Sequence, residues 1–226
     1  MTTIATLKTA CLLALTLTLT SSLAASKKDV DNVMGRDGLQ KINVKGLDLA
    51  YARPGASLAA YKRVKLDPVE VQFDKSWEPT VTGSRIKLGP EEREKIRASV
   101  AKLVEEEFAK ALQKGGTYQI ASESAPDVLR VKASVLNVYI NAPSDTSAGR
   151  SKTYVSSAGQ MTLLAELSDS TSGQMLARVA DRREGNSMAR MERADRIENE
   201  GAARDVAAAW AQILRNALDK AHQIGS

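Results

Sequence analysis

Two serines stand three residues ahead of a lysine, Ser84 with Lys87 and Ser99 with Lys102. In serine acyltransferases that spacing lets an amine take the proton of an attacking hydroxyl. Ser99 and Lys102 fall inside a helical pattern and off its apolar stripe, which puts both in solvent. Neither pair is joined by the further motifs such enzymes use. His222 is the one histidine. It sits in the last turn of the last helical pattern, where an imidazole serves the negative end of the helix dipole. A serine or cysteine nucleophile is therefore left without a histidine base. One histidine and one cysteine cannot build a zinc site. Asp169, Asp181 and Glu184 lack calcium-loop spacing, and Gly115-Gly116 and Gly35/Gly38 are turns, not a phosphate cradle. The residues predict no catalytic centre, no metal and no cofactor.

The cysteine, Cys11, lies in TACLLALTLTLTSSLAASKK (Thr9 to Lys28). Lys8 supplies a positive flank, Ala10 to Thr20 an uncharged apolar run, and Ser22-Leu23-Ala24 small residues for cleavage. These are the parts of a secretory signal peptide. The run is shorter than the roughly 20 residues that span a bilayer. A lipidated cysteine follows the apolar run; Cys11 precedes it, behind the charged Lys8. The sequence thus predicts cleavage after Ala24 (or Ala25) and a periplasmic chain without a cysteine or a lipid anchor. Such a chain relies on packing, not disulfides, in an oxidising compartment.

The elements follow from periodicity. Residues 25–46 are polar and read as a tail or strap, with one domain over 47–226. YKRVKLDPVEVQF (Tyr61 to Phe73) alternates at period two and slips at Pro68, which predicts a strand with a bulge or an edge position. Pro90-Glu91-Glu92 opens a helix whose stripe is Ile96, Val100, Leu103, Val104, Phe108, Ala111 and Leu112, ending at Gly115-Gly116. Strands are predicted near Tyr118–Ile120, over Asp127 to Ile140, and as a pair joined by the turn Asp169 to Gly173. A last helix, from about Ala202 to His222, would bury Ala203, Val206, Ala207, Trp210, Ile213, Leu214, Ala217 and Leu218. That order predicts a two-layer α+β domain, with both helices on one face of a mostly antiparallel sheet.

The charge balance is mild, 32 Lys and Arg against 27 Asp and Glu, and does not point to nucleic acid. Arg178 to Glu200 carries six arginines and six acids and reads as a solvated connector laced with weak ion pairs. The unbalanced stretch is Arg53 to Lys65. There Arg53, Lys62, Arg63 and Lys65 precede any acid and form a candidate surface for an acidic partner or an anionic envelope surface. With two Trp, five Tyr and two Phe the chain lacks an aromatic-rich binding run.

The stretches DGLQKI (Asp37 to Ile42), YARPGASLAAYKRVKLDPVEVQF (Tyr51 to Phe73) and LSDSTSGQMLARVADRR (Leu167 to Arg183) resemble a family of bacterial envelope lipoproteins, domain-of-unknown-function family 3313. Arg53-Pro54-Gly55, Leu66-Asp67-Pro68-Val69 and the turn Asp169 to Gly173 are its most distinctive parts. The resemblance implies an envelope location and names no activity, substrate or catalytic residue. Family members often carry a lipidated cysteine after the signal; this sequence does not. The function expected is a non-enzymatic periplasmic interaction or accessory domain. The alternative is an envelope hydrolase or a glycan- or lipid-binding protein.

Overall fold

The computed structural model describes residues 27–79, 87–140, 154–155, 159–184, 192–193 and 196–223. The elements are α1 (Lys27–Met34), β1 (Gln40–Ile42), β2 (Leu49–Ala52), β3 (Arg63–Leu66), β4 (Glu70–Phe73), α2 (Pro90–Gln113), β5 (Gln119–Ile120), β6 (Val128–Ile140), β7 (Tyr154–Val155), β8 (Gly159–Asp169), β9 (Met175–Glu184), β10 (Glu192–Arg193) and α3 (Arg196–Ala221). Eight strands form one sheet, ordered β1-β2-β9-β8-β6-β3-β5, with β4 also on β6. A separate ribbon pairs β7 with β10. The sheet is antiparallel from β1 through β6. β3 and β4 run parallel to β6 because the chain crosses over between them through α2. The mostly antiparallel α+β class is the one the element order predicts.

Tyr61 to Phe73 is two strands with a break at Pro68. Asp67 N–H still bonds the Val131 carbonyl at 2.9 Å. Proline has no N–H to give, and the next donor, Val69 N–H, turns to Glu105 Oε1 of α2 at 2.8 Å. Pairing resumes with Glu70 opposite Ser134. β6 then carries an extra residue around Asn137, whose φ is 51°. Its register shifts there against both β4 and β8, the signature of a bulge.

One face of the sheet takes α2 and α3. Val100, Leu103, Val104, Phe108 and Leu112 of α2 join Val206, Ala207, Trp210, Ala211, Leu214 and Leu218 of α3 over Val131, Ala133, Val135, Met161, Leu163, Ala165 and Leu167. The α3 stripe differs from the sequence reading at three positions: Ala211 is buried, Ala217 is exposed, and Ile213 is half-buried outside the main core. A side chain as small as alanine gives the hydropathy pattern little direction. α3 also starts at Arg196, ahead of Ala202, and Glu200 in its early turns suits the positive end of a helix even where apolar residues are sparse. The Arg178–Glu200 tract is correspondingly less of a connector than its balanced charge suggests, since it contains much of β9 and the first turn of α3.

The other face takes α1. Met34 and Leu39 pack with Tyr51 against Leu49, Leu164, Met175 and Ala180, and β1 extends the sheet by pairing β2. The stretch read as a polar tail or strap is, from Lys27 on, a helix and an edge strand. Its few apolar residues are supplemented by the buried Arg178, which donates to Glu166 Oε1 (2.8 Å), Asp37 Oδ2 (3.0 Å) and the carbonyls of Val33 (3.1 Å) and Met34 (3.2 Å).

Trp210 joins helix to sheet both ways. Its ring is in the core, and Nε1 donates to Asp181 Oδ2 of β9 at 2.7 Å. Trp210→Ala is expected to cost about 3–5 kcal/mol, as other large-to-small core changes do, measured by urea unfolding. An unchanged midpoint would show that α3 does not dock by this residue.

Candidate functional site

α2 and α3 run side by side in the same direction. Arg204 Nη1 donates to Glu107 Oε1 at 2.7 Å, and further along Arg215 Nη1 reaches the carbonyls of Ala111 (3.0 Å) and Leu112 (3.3 Å). N-terminal to the Glu107–Arg204 contact the space between the helices is open. A cavity of about 660 Å³ lies there over the ends of β6 and β8, a size within the roughly 300–1,000 Å³ of small-molecule sites. Its floor is Val138, Ile140 and Met161, its walls Ile96, Val100, Leu103 and Ala203, and its rim Lys95, Ser99, Lys102, Glu106, Gln160, Glu200 and Arg204.

The rim charges are not equivalent. Glu107 is 4% exposed and holds Arg204, which also lies 3.6 Å from Glu106 and 3.4 Å from Glu200. The Glu107 hydrogen bond pushes the Arg204 pKa above its ordinary value, against the opposing effect of desolvation. Lys102 is 3.8 Å from Glu106, with its side chain 77% exposed. Lys95 has no ion-pair partner among the described residues. Ser99 and Lys102 are exposed, as the helical pattern predicts. The arrangement can seat an apolar body and present one polar end to cations. Glu107 was hidden from sequence reasoning because it sits within the apolar stripe, and the mismatch of an acid among Val104, Phe108 and Ala111 is the signal that marks it.

The candidate basic surface is divided. Lys62, Arg63 and Lys65 lie together on and beside β3, whereas Arg53 follows β2. The pairing Ala52–Ala177–Leu167–Val131–Leu66 puts four strand spacings between them, about 19 Å. Arg53 Nε donates to the Met175 carbonyl and Nη2 to the Asp37 carbonyl, both at 2.8 Å. Arg63 grips Asp127 through Nε (2.8 Å) and Nη2 (2.6 Å). That hydrogen bonding pulls the Asp127 carboxyl below its usual range and pushes Arg63 up. Both arginines are occupied in tying the sheet together. Lys62 is exposed and Lys65 half-buried.

Comparison with known proteins places the sequence. Residues 31–214 match the family described as "Protein of unknown function (DUF3313)". The chain belongs to family DUF3313. The match includes α2, both sides of the cleft and all of the main sheet. No curated protein matches the sequence. Among solved structures, the PelC dodecamer from Paraburkholderia phytofirmans is similar at 16% identity, covering 74% of this chain and 96% of that one, with a TM-score of 0.39. A Xanthomonas campestris protein of family DUF330 is similar at 12% identity over 76% of this chain and 91% of that one, also with a TM-score of 0.39. A putative lipoprotein from Caulobacter crescentus shares 12% identity, with 72% and 90% coverage and a TM-score of 0.30. Among the described residues no helix is long and apolar enough to cross a membrane, and no three metal-binding side chains converge.

Away from the cleft, hydrogen-bonded tyrosines lock the ends of the sheet. His222 Nδ1 lies 2.9 Å from the Leu218 carbonyl, and Tyr118 donates to Asp219 at 2.9 Å. Arg215 ties Asp219 to the last carbonyls of α2 and lies 5.1 Å over the Tyr118 ring. Tyr61 donates to Asp169 Oδ2 at 3.0 Å, and Tyr51 donates to Asp31 of α1. The Asp31 hydrogen bond and then burial push Tyr51 up to about 12. Burial and then a carboxylate partner do the same for Tyr61 and Tyr118, each up to about 12. A raised phenol pKa means that the folded state favours the neutral form. Stability from these groups is therefore fully present below pH 10 and lost as pH rises from 10 to about 12. Alkaline spectrophotometric titration should show three of the five tyrosines ionising only towards about 12 in the native protein. All five titrating together near 10 in folded protein would contradict these contacts.

Proposed function

We propose that this chain is a non-enzymatic binding module of the bacterial cell envelope, exported to the periplasm and acting there as an accessory to another envelope component. The cleft between α2 and α3 carries this reading. It has an aliphatic floor, and among the described residues its serine, Ser99, lies on the exposed rim between Lys95 and Lys102, the latter ammonium beside Glu106. A covalent mechanism needs a hydroxyl next to a base shielded from water; an exposed pair at a rim suits recognition. Export rests on the signal-peptide pattern of Lys8 to Ala24.

A fluorophosphonate probe separates binding from acyl transfer. Ser99 should remain unlabelled, and the probe-treated protein should capture the same partners from envelope extract as the untreated one. Labelling at Ser99 that Lys102→Ala abolishes would replace the binding reading with a hydrolase.

The basic strand β3 supplies a second contact in this reading. Lys62 and Lys65, with the paired Arg63 between them, face an acidic partner or an anionic envelope surface, and Arg53 contributes by shaping the turn before them. Exposed charges are screened beyond ~10 Å at 0.1 M salt, so the contact should weaken with salt. Lys62→Glu with Lys65→Glu should reduce co-sedimentation with phosphatidylglycerol vesicles at low salt and leave the urea midpoint in place. Retention equal to the parent protein would put the surface elsewhere.

A further inference from the structure

We propose that the α2–α3 cleft is a site for a single acyl chain ending in a carboxylate, the chain lying on the floor and the head group at the α2 rim. The proposal rests on the binding reading above and names its ligand class.

The lining favours such a ligand over the other envelope chemistries. Ile96, Val100, Leu103, Ile140 and Met161 are aliphatic or thioether, and among the described residues Tyr139 is the lone aromatic side chain on the cleft. A sugar is held by stacked rings and dense hydrogen bonding, which this floor does not offer. A peptide strand is held by a free ladder edge, but at the floor β6 and β8 already pair with each other, Tyr139 with Gln160 and Ile140 with Gly159. Ile96 and Ile140 stand half-buried, and an alkyl chain would take their exposed apolar area out of water.

Charge places the head. Lys95, Ser99 and Lys102 follow one another at i, i+4 and i+7, one side of α2, and all three stand on the rim. Across the cleft, Arg204 is engaged by Glu107 and Glu200. The available positive charge is therefore on the α2 side, where Lys95 lacks an ion-pair partner among the described residues and Lys102 meets Glu106 only at 3.8 Å. A carboxylate there gains two cations and a hydroxyl donor.

The test is fluorescence titration of the full mature chain with cis-parinarate, displaced by saturated fatty acids and by primary alcohols of the same length. One saturable site is expected, with the acid displacing the probe better than its alcohol. Lys95→Glu with Lys102→Glu should weaken the acid by about tenfold or more and leave the alcohol unchanged. Ala203→Phe, which fills the cleft, should abolish both; the exposed rim variant does not depend on that core change folding. A diazirine-bearing fatty acid should crosslink to α2 or α3 peptides. Absence of saturable binding, equal loss of acid and alcohol in the rim variant, or crosslinking confined to other elements would overturn the proposal. If the fatty acid fails while a photoreactive group at Ser99 captures an envelope protein, the binding module stands and the acyl ligand falls. Fluorophosphonate labelling of Ser99 would remove both.

Discussion

The thirteen backbone units of β6 need hydrogen-bond partners on both edges, and much of the fold is arranged to supply them. β8, of nearly equal length, serves one edge by antiparallel pairing. The other edge is shared by β3 and β4, which come from one stretch of chain and lie end to end along it. Pro68 makes the division local, since it removes one donor and the pairing lapses only at Pro68 and Val69. The helix that connects this composite edge back to β6 also repairs it, because Glu105 of α2 accepts the Val69 N–H that the break leaves unpaired. The bulge at Asn137 then changes the pairing on both sides at once. Position 68 and position 137 are thus two corrections to the same long strand.

Buried ionic groups place the helices on this sheet. Charges taken out of water cost several kcal/mol each unless their partners are well placed, so they discriminate among packings that aliphatic contacts treat alike. Asp181 accepts from Trp210, from Arg183 and from the Asp48 backbone, which fixes α3 over β9. Glu107 and Arg204 set the separation of α2 and α3. Arg178 holds the α1 end and the following turn on the opposite face. Apart from the local Arg183–Asp181 contact, these interactions join residues roughly 30 to 145 positions apart in sequence, and they set the positions of elements whose apolar faces alone would leave them free to slide.

Those residues explain what was legible in the sequence. The α2 stripe, the β6 and β8 strands and the turn at Asp169 follow from local periodicity and appear where that periodicity puts them. The α1 segment does not, because Val30, Met34 and Leu39 are too few to make a pattern, and its attachment depends on an arginine more than 140 residues away. Arg53 and Arg63 look like free cations in a run without acids; their partners, the Met175 carbonyl and Asp127, are brought in by the sheet. The cleft was the least legible part. Its lining comes from α2, β6, β8 and α3, whose apolar members read in sequence as ordinary core positions and whose charged members read as solvated surface.

The position of the cleft follows from where the helices are tied. Arg215 fastens α3 to the last carbonyls of α2, and Glu107–Arg204 fastens them again partway along. Beyond that second tie, towards the helix N-termini, Ile96 and Ala203 face the ends of β6 and β8 across open space. The same ion pair therefore acts on the site in two ways. It props the helices at a fixed separation, and it consumes the charge of Arg204, so that the rim is cationic on the α2 side alone. A hydrophobic pair of equal volume could preserve the separation but would leave the rim charges different, and an unpaired glutamate at position 107 would be driven to find a lysine, with Lys110 already 3.5 Å away. The polarity of the cleft is in this sense a consequence of how its walls are held apart.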